Sequence, residues 1–289
     1  MNGMHETKLH GSRLFPYKLY RCRLPEYIHG YPLHWHEEME LIYVAAGRVS
    51  ITVRSQHCLA QAGDMLIILP QDMHAIEQHE GEAVEYYNIL FRLSLLDGGA
   101  NDIAYERHIA PLSKRTRTLP IHLPSCSALC QSLTPHVLSL IDARHETDSE
   151  LMIKAHLYAM LHHLARCSAD PSKTERAQAS TYERLKPAIE RIRSAPHEAH
   201  SIAQAASLCG YSPSHFARLF HKLTGTSFTQ YVLQYRLEIA ANALQSSSQP
   251  ITRIALETGF HNLSYFTRAF TAQYGVTPTQ YRADSRSHP

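Results

Sequence analysis

The strongest constraint on the fold of this chain is a duplication in its last third. Residues 202–232 read IAQAASLCGYSPSHFARLFHKLTGTSFTQYV, and residues 251–282 read ITRIALETGFHNLSYFTRAFTAQYGVTPTQYR. Ile202, Ala206, Gly210 and Tyr211 match Ile251, Ala255, Gly259 and Phe260 at an offset of 49. After one extra residue in the second turn, Phe216, Arg218, Phe220, Gly225, Gln230 and Tyr231 match Phe266, Arg268, Phe270, Gly275, Gln280 and Tyr281 at an offset of 50. A repeated unit of this length is a supersecondary motif that buries its apolar face against neighbouring helices. Each copy predicts helix, tight turn, helix. Gly210 and Gly259 stand where a left-handed residue ends the first helix. Ser212 with Pro213, and Asn262, are placed to cap the second. Phe216, Leu219, Phe220 and Leu223 recur at helical spacing, as do Phe266, Ala269, Phe270 and Tyr274. Between the copies, Phe228, Tyr231, Val232, Tyr235, Ile239 and Leu244 predict an amphipathic helix that holds the units at a fixed separation. Leu185, Ile189 and Ile192 predict a further helix over residues 182–194.

Charge divides the chain in the same place. Residues 1–180 carry 17 Lys and Arg against 20 Asp and Glu, a net of −3, and residues 181–289 carry 11 against 6, a net of +5. Only the second part has the balance to neutralise phosphates. The 6 cysteines (Cys22, Cys58, Cys126, Cys130, Cys167, Cys209) form no paired-spacing framework. The first residues, MNGMHETKLHG, have no apolar signal segment, and no apolar run approaches a membrane span, so a cytoplasmic protein is expected.

Residues 182–284 resemble the DNA-binding domain of the AraC/XylS family, carried by GYSPSHFARLFHKLTG, the aromatic-bearing linker helix and ALETGFHNLSYFTRAFTAQYGVTPTQYR. The resemblance implies double-stranded promoter DNA as partner, with the second helix of each unit in the major groove. That places Ser214, Ala217 and Arg218 toward the bases in the first unit, and Leu263, Ser264, Thr267 and Arg268 in the second. Arg218 and Arg268 are the expected direct readers, because a guanidinium bonds guanine O6 and N7 together. Ala217 and Leu263 touch at most a thymine methyl, so part of the readout falls to DNA shape.

From Tyr31 to Leu93 the chain reads as short strands and turns. Val49, Ile51 and Val53 alternate with polar residues, and GDMLIILPQDMH places a strand between two turns, the pattern of a small β-barrel or jelly roll. In HWHEEMELIYVAAG, the even spacings let one face of an extended strand carry His34, His36 and Glu40, and the later run supplies His74. These segments resemble the two cupin motifs, HxHxxxE with Gly47 seven residues on, although the second motif lacks its terminal Asn. Three imidazoles and a carboxylate suit a divalent metal (Zn, Ni, Mn or Fe) or hydrogen-bond an organic effector. With 15 His in residues 1–180, some clustering is expected without function. Tyr43 and Tyr86 are further effector-binding candidates, since either ring can stack on a sugar. Trp35 is expected in the core.

The expected fold class is α+β: a cupin-like β-barrel (jelly roll) with helices, then an all-α domain of two tandem helix-turn-helix units. The expected domains are 1–124 for effector binding, 125–167 as a helical dimerisation segment, 168–180 as linker and 181–289 for DNA binding. The function that follows is a sequence-specific, dimeric transcription regulator, an activator meeting RNA polymerase, which responds to a small-molecule effector; the family resemblance implies a sugar. The rivals are a metal-dependent cupin enzyme with a DNA-binding appendage, and a DNA-binding module whose cupin serves only for dimerisation.

Overall fold

The computed structural model describes residues 10–25, 30–54, 56–99, 101–146 and 148–287. Two compact units result: the described residues up to Leu24 with His34–Ala179 form one, and Pro25–Leu33 with Ser180 onward form the other.

The first unit is built on strands β1 (Tyr17–Leu24), β3 (Met39–Ala46), β4 (Arg48–Val53), β5 (Gln56–Gln61), β6 (Met65–Ile68), β7 (His74–Gln78), β8 (Val84–Phe91) and β9 (His122–Leu123), while β2 (Gly30–His34) falls, but for His34, in the Pro25–Leu33 segment of the other. The strands of the first unit form a five-stranded sheet in the order β1-β8-β3-β6-β9 and a second sheet in which β7 pairs with β4 and β4 with β5. Leu41 lies opposite both Ile89 and Ile67, so the period-two alternation of the sequence becomes two distinct faces of β3. Met39 and Leu41 join the apolar cluster filled by helices, while Glu40, Ile42 and Val44 are buried on the other face. Val49, Ile51 and Val53 are fully buried, as their alternation predicts.

A π-helical turn, Tyr105–Ile109, runs into the short helix α1 (Ala110–Ser113); α2 (Ala128–Asp142) and α3 (Glu150–Arg166) follow. Ser127 caps α2 by accepting from the Cys130 amide at 3.2 Å. Leu133, Val137, Leu157 and Leu164 pack with Leu41, Ile67 and Ile89 in one cluster. Each fully buried Leu or Val contributes about 1.5–3 kcal/mol there. The two helices expected over 125–167 are thus present, with their apolar faces against the sheet.

The expected linker, 168–180, ends where the two units divide, and its second half is helical. Helix α4 covers Lys173–Ser194, starting well before Tyr182. The run from Lys173 to Lys186 contains no Gly or Pro and is rich in Lys, Glu, Arg, Ala and Gln, whose intrinsic preference is helical.

In the second unit, α5 (Ile202–Leu208) and α6 (Pro213–Thr224) form the first repeat, and α8 (Ile251–Glu257) and α9 (Leu263–Tyr274) the second. Helix α7 (Phe228–Ser246) joins them and α10 (Pro278–Ser287) closes the chain. The aromatic rings of Phe216 and Phe220 meet Phe228 at 5.4 Å each, and Phe220 meets Tyr231 at 5.6 Å. Further along α7, Leu237, Ala240, Ala241 and Leu244 pack with Phe266 and Phe270. One helix therefore serves two cores in turn. Ile239, expected on its buried stripe, is half-buried, and Leu237 takes the core position because the buried face moves around the helix from one core to the next.

Candidate functional site

The reading face of the second unit is positioned by caps and by aromatic anchors. Ser212 Oγ accepts from the His215 amide at 3.4 Å, and Asn262 Oδ1 accepts from the Tyr265 amide at 2.9 Å. Both caps close the start of the second helix in each repeat, at the residues the sequence indicated. Phe216, Phe220 and Leu223 hold α6 inward, and Phe266 and Phe270 hold α9. The opposite faces then present Ser214 and Arg218, and Leu263, Ser264 and Arg268, to solvent. Ala217 and Thr267 are half-buried, and the Thr267 hydroxyl donates to the Leu263 carbonyl at 3.0 Å. Among the described residues, neither Arg218 nor Arg268 is held in an ion pair. Both guanidiniums retain their donors for an outside acceptor. The sequence reading missed His215 and Tyr265, which occupy equivalent repeat positions and are exposed beside the named readers. The offset of 50 between the repeats carries that signal.

In the first unit the chain brings His34, His36, Glu40 and His74 together, but not on one extended strand as expected. His34 ends β2, His36 lies in the short connection that follows and Glu40 is on β3, so the turn between the strands, not their even spacing, gathers them. The ligating atoms of the three histidines lie within 4.8 Å of one another. Ring centroids are separated by 4.1 Å for His34 and His74, and by 5.0 Å for His36 and His74. His36 Nδ1 donates to the Glu38 carbonyl at 3.0 Å, and His74 Nδ1 donates to the Asp72 carbonyl at 2.8 Å. Their Nε2 atoms both face one oxygen, Oε2 of Glu40, at 2.9 and 3.0 Å. Burial pushes the Glu40 carboxyl up, but His74 and His36 outweigh it through charge and hydrogen bonds, and the group sits well below the usual carboxylate range.

A neutral imidazole has one N–H and one lone pair. With Nδ1–H committed to a carbonyl on each ring, two states satisfy the Nε2 atoms. Either both rings are imidazolium cations donating to Glu40, or a cation sits on the two lone pairs beside the carboxylate. The first state sets two cations on either side of the Glu40 carboxylate, whose negative charge offsets them, and it is the state in which their charge holds that carboxyl low. The second is the arrangement of ligating histidines whose far nitrogen is fixed by a backbone carbonyl. His34, His36 and His74, with Glu40 beside them, are the residues that could hold a divalent transition ion, which would there polarise a bound oxygen or nitrogen donor.

The tyrosine candidates separate. Tyr86 lies opposite Val44 and is fully buried on the Glu40 side of the sheet. Tyr43 does not join the cluster: three residues from Glu40 along β3, it points to the opposite face and packs against the helix-filled core. The sequence reading also missed His10. It is buried, bonds the Tyr20 hydroxyl at 3.1 Å through Nδ1, and sets its ring 6.0 Å from that of His36. No spacing rule ties it to the later histidines. Trp35 is buried, as expected.

Residues 19–161 match the AraC-like ligand binding domain, and residues 205–284 match a helix-turn-helix domain. Over 197 residues the chain is 30% identical to the transcriptional activator RhrA of Rhizobium meliloti; the match takes in 66% of this chain and 61% of RhrA. It is 22% identical over 282 residues, 96% of each chain, to YdeC of Bacillus subtilis, an uncharacterized transcriptional regulator of helix-turn-helix type. Among solved structures, ToxT from Vibrio cholerae aligns over 93% of this chain and 99% of its own with a TM-score of 0.49 at 11% identity. No helix among the described residues is long and apolar enough to cross a membrane. The chain belongs to the AraC family of DNA-binding transcription regulators, with an AraC-type ligand-binding domain ahead of its paired helix-turn-helix units.

Proposed function

We propose that this regulator reads two successive major grooves of promoter DNA, with Arg218 of α6 and Arg268 of α9 as the base-reading side chains, in response to an effector held at the His/Glu cluster. The observation that carries the DNA part is the matched exposure of the two arginines on capped, equivalently built helices. Duplexes enriched from a random pool by the full chain should show two protected grooves about one helical turn, ~34 Å, apart. A single protected groove, or no enriched sequence, refutes this reading.

For the effector, the donor count at Glu40 favours a divalent transition ion. A sugar, the effector the family resemblance implies, is the other reading, with Tyr86 on the Glu40 side of the sheet and Tyr43 on the helix side. Equilibrium dialysis with Zn, Ni, Mn and Fe salts should find about one ion per chain, and replacement of His34 and His74 together by Ala should remove it while DNA binding without metal persists. Equal binding by wild type and variant excludes the cluster as a metal site. Activation through RNA polymerase is the proposed outcome, since RhrA is named a transcriptional activator. We further propose a cytoplasmic homodimer formed through α2 and α3, where Leu138, Leu151 and Met152 stay exposed while the opposite side of each helix is packed. Sedimentation of a Leu151→Asp variant should then report a monomer, and an unchanged dimer argues against that interface.

A further inference from the structure

The two helix-turn-helix turns are built alike but packed differently. Gly210 and Gly259 both adopt left-handed backbone, with φ of 71° and 89°. A Cβ on Gly210 would meet nothing within 4 Å. On Gly259 it would lie 2.7 Å from the Pro196 carbonyl oxygen and 2.8 Å from both Cζ and Nε of Arg236. The second turn is therefore pressed against a guanidinium and a backbone carbonyl, and the first is open.

Arg236 comes from the middle of α7, between the two cores that this helix serves. Its Nε donates to the Pro196 carbonyl at 2.8 Å and its Nη2 to the Glu198 carbonyl at 2.7 Å. Both carbonyls belong to the loop that leads into α5, the opening helix of the first repeat. That loop is itself closed by His200 Nε2 donating to the Ala195 carbonyl at 2.9 Å and by an ion pair between Arg191 and Glu198. One half-buried planar cation thus joins the entrance of the first repeat, the connecting helix and the turn of the second repeat. Burial lowers its proton affinity, and the nearby Tyr265 phenol, on reading helix α9, acts in the opposite sense. A guanidinium suits this place because its N–H fork reaches two carbonyls while its flat face admits a close backbone; an ammonium lacks both the fork and the plane.

We propose that Arg236 is a positioning residue for DNA reading: by fastening the entrance of the first repeat to the turn of the second, it sets the distance and rotation between α6 and α9, and hence the base-pair spacing the chain accepts. The inference rests on the two-groove reading above. Two modules held rigidly bind a matched pair of sites far more tightly than either alone, and the advantage falls when geometry is lost.

The test uses the full chain and a duplex enriched by it from a random pool, with derivatives carrying one base pair inserted or deleted between the two protected grooves. Wild type should lose about tenfold or more in affinity on either derivative. Arg236→Ala should bind the parent duplex about tenfold more weakly and discriminate among the three spacings by no more than about twofold. Arg236→Lys, which keeps the charge and is expected to keep one of the two bonds, should fall between. A purely structural role would weaken all spacings by a common factor. Melting curves check that each variant folds, and if the Ala variant does not, the Lys variant decides alone. Wild-type spacing preference retained in the folded variants overturns the role of Arg236, whereas a wild type indifferent to spacing overturns the two-groove reading beneath it.

Discussion

Replacing each turn glycine by alanine should separate backbone strain from collision. At Gly210, φ of 71° costs an L-residue about 1–2 kcal/mol, and the narrower unfolded ensemble of Ala offsets about 0.4–1 kcal/mol of that. With open space around the new methyl, Gly210→Ala should destabilise its unit by about 1 kcal/mol. Gly259→Ala carries the same backbone term and adds a Cβ 2.7 Å from a backbone carbonyl and 2.8 Å from Arg236. The side chain can withdraw only by giving up its two bonds, and the carbonyl is part of a closed loop. Overpacking of this kind costs about 1–3 kcal/mol, so Gly259→Ala should be worse than Gly210→Ala by about 2 kcal/mol. In a helical unit of roughly a hundred residues that is on the order of 8–16 °C in melting temperature. Far-UV circular dichroism follows the helices. The chain's one tryptophan, Trp35, lies in the β-rich unit, so its emission provides an internal control that neither substitution should move. Equal shifts for the two variants would refute the packing difference, and with it the clamped second turn.

Arg268→Ala should relax base preference at one position by about 1–3 kcal/mol in competition binding; a uniform loss on every sequence would make it a phosphate contact. Phe220→Ala should cost about 3–5 kcal/mol in denaturant titration, because its ring is fully buried among Phe216, Phe228 and Tyr231; a loss below about 1 kcal/mol would deny that core. Burial pushes the Asp64 carboxyl up, but His122 and the amides of Ser125 and Gln61 outweigh it and hold the group below its ordinary value of 3.8. A depressed folded value stabilises the fold above the unfolded one and is lost as pH falls through the folded one. Stability of the β-rich unit, read from Trp35, should therefore decline below about pH 4, and Asp64→Asn should flatten that decline; an unchanged slope would remove Asp64 from the acid response.

The repeat made the second unit legible because one pattern, written twice, reported helix, turn and cap together. Ser212, Pro213 and Asn262 were identifiable since capping depends on residues within one turn of chain. The His/Glu cluster was readable in its members but not in its geometry: the spacing singled out His34, His36 and Glu40, yet a bend after β2 separates them onto different elements, and His74 followed a recognisable turn. Tyr43 illustrates the same rule applied incompletely, because an odd separation from Glu40 already assigns it to the other face of β3. His10 was hidden for a different reason. Its approach to His36 depends on how distant strands fold together, and nothing local encodes that. Leu237 displaced Ile239 because a helix crossing two cores has no single apolar stripe. Residues 173–180 were polar enough to suggest a linker, yet polarity does not oppose a helix when Gly and Pro are absent.

The helix caps of the second unit carry a consequence for its stability. Ser201, Ser212, Ser227 and Asn262 cap with neutral oxygens. Among the described residues no helix from α5 to α10 has an acidic side chain in its first turn. Aspartate at such places would strengthen a helix by about 0.3–1 kcal/mol through its dipole. It would also cancel the partial positive charge that attracts a phosphate to the same helix end. The unit thus forgoes a readily available gain in thermal robustness at the ends of its reading helices, and engineering it for heat resistance through Ser212→Asp should weaken its hold on nucleic acid in the same step.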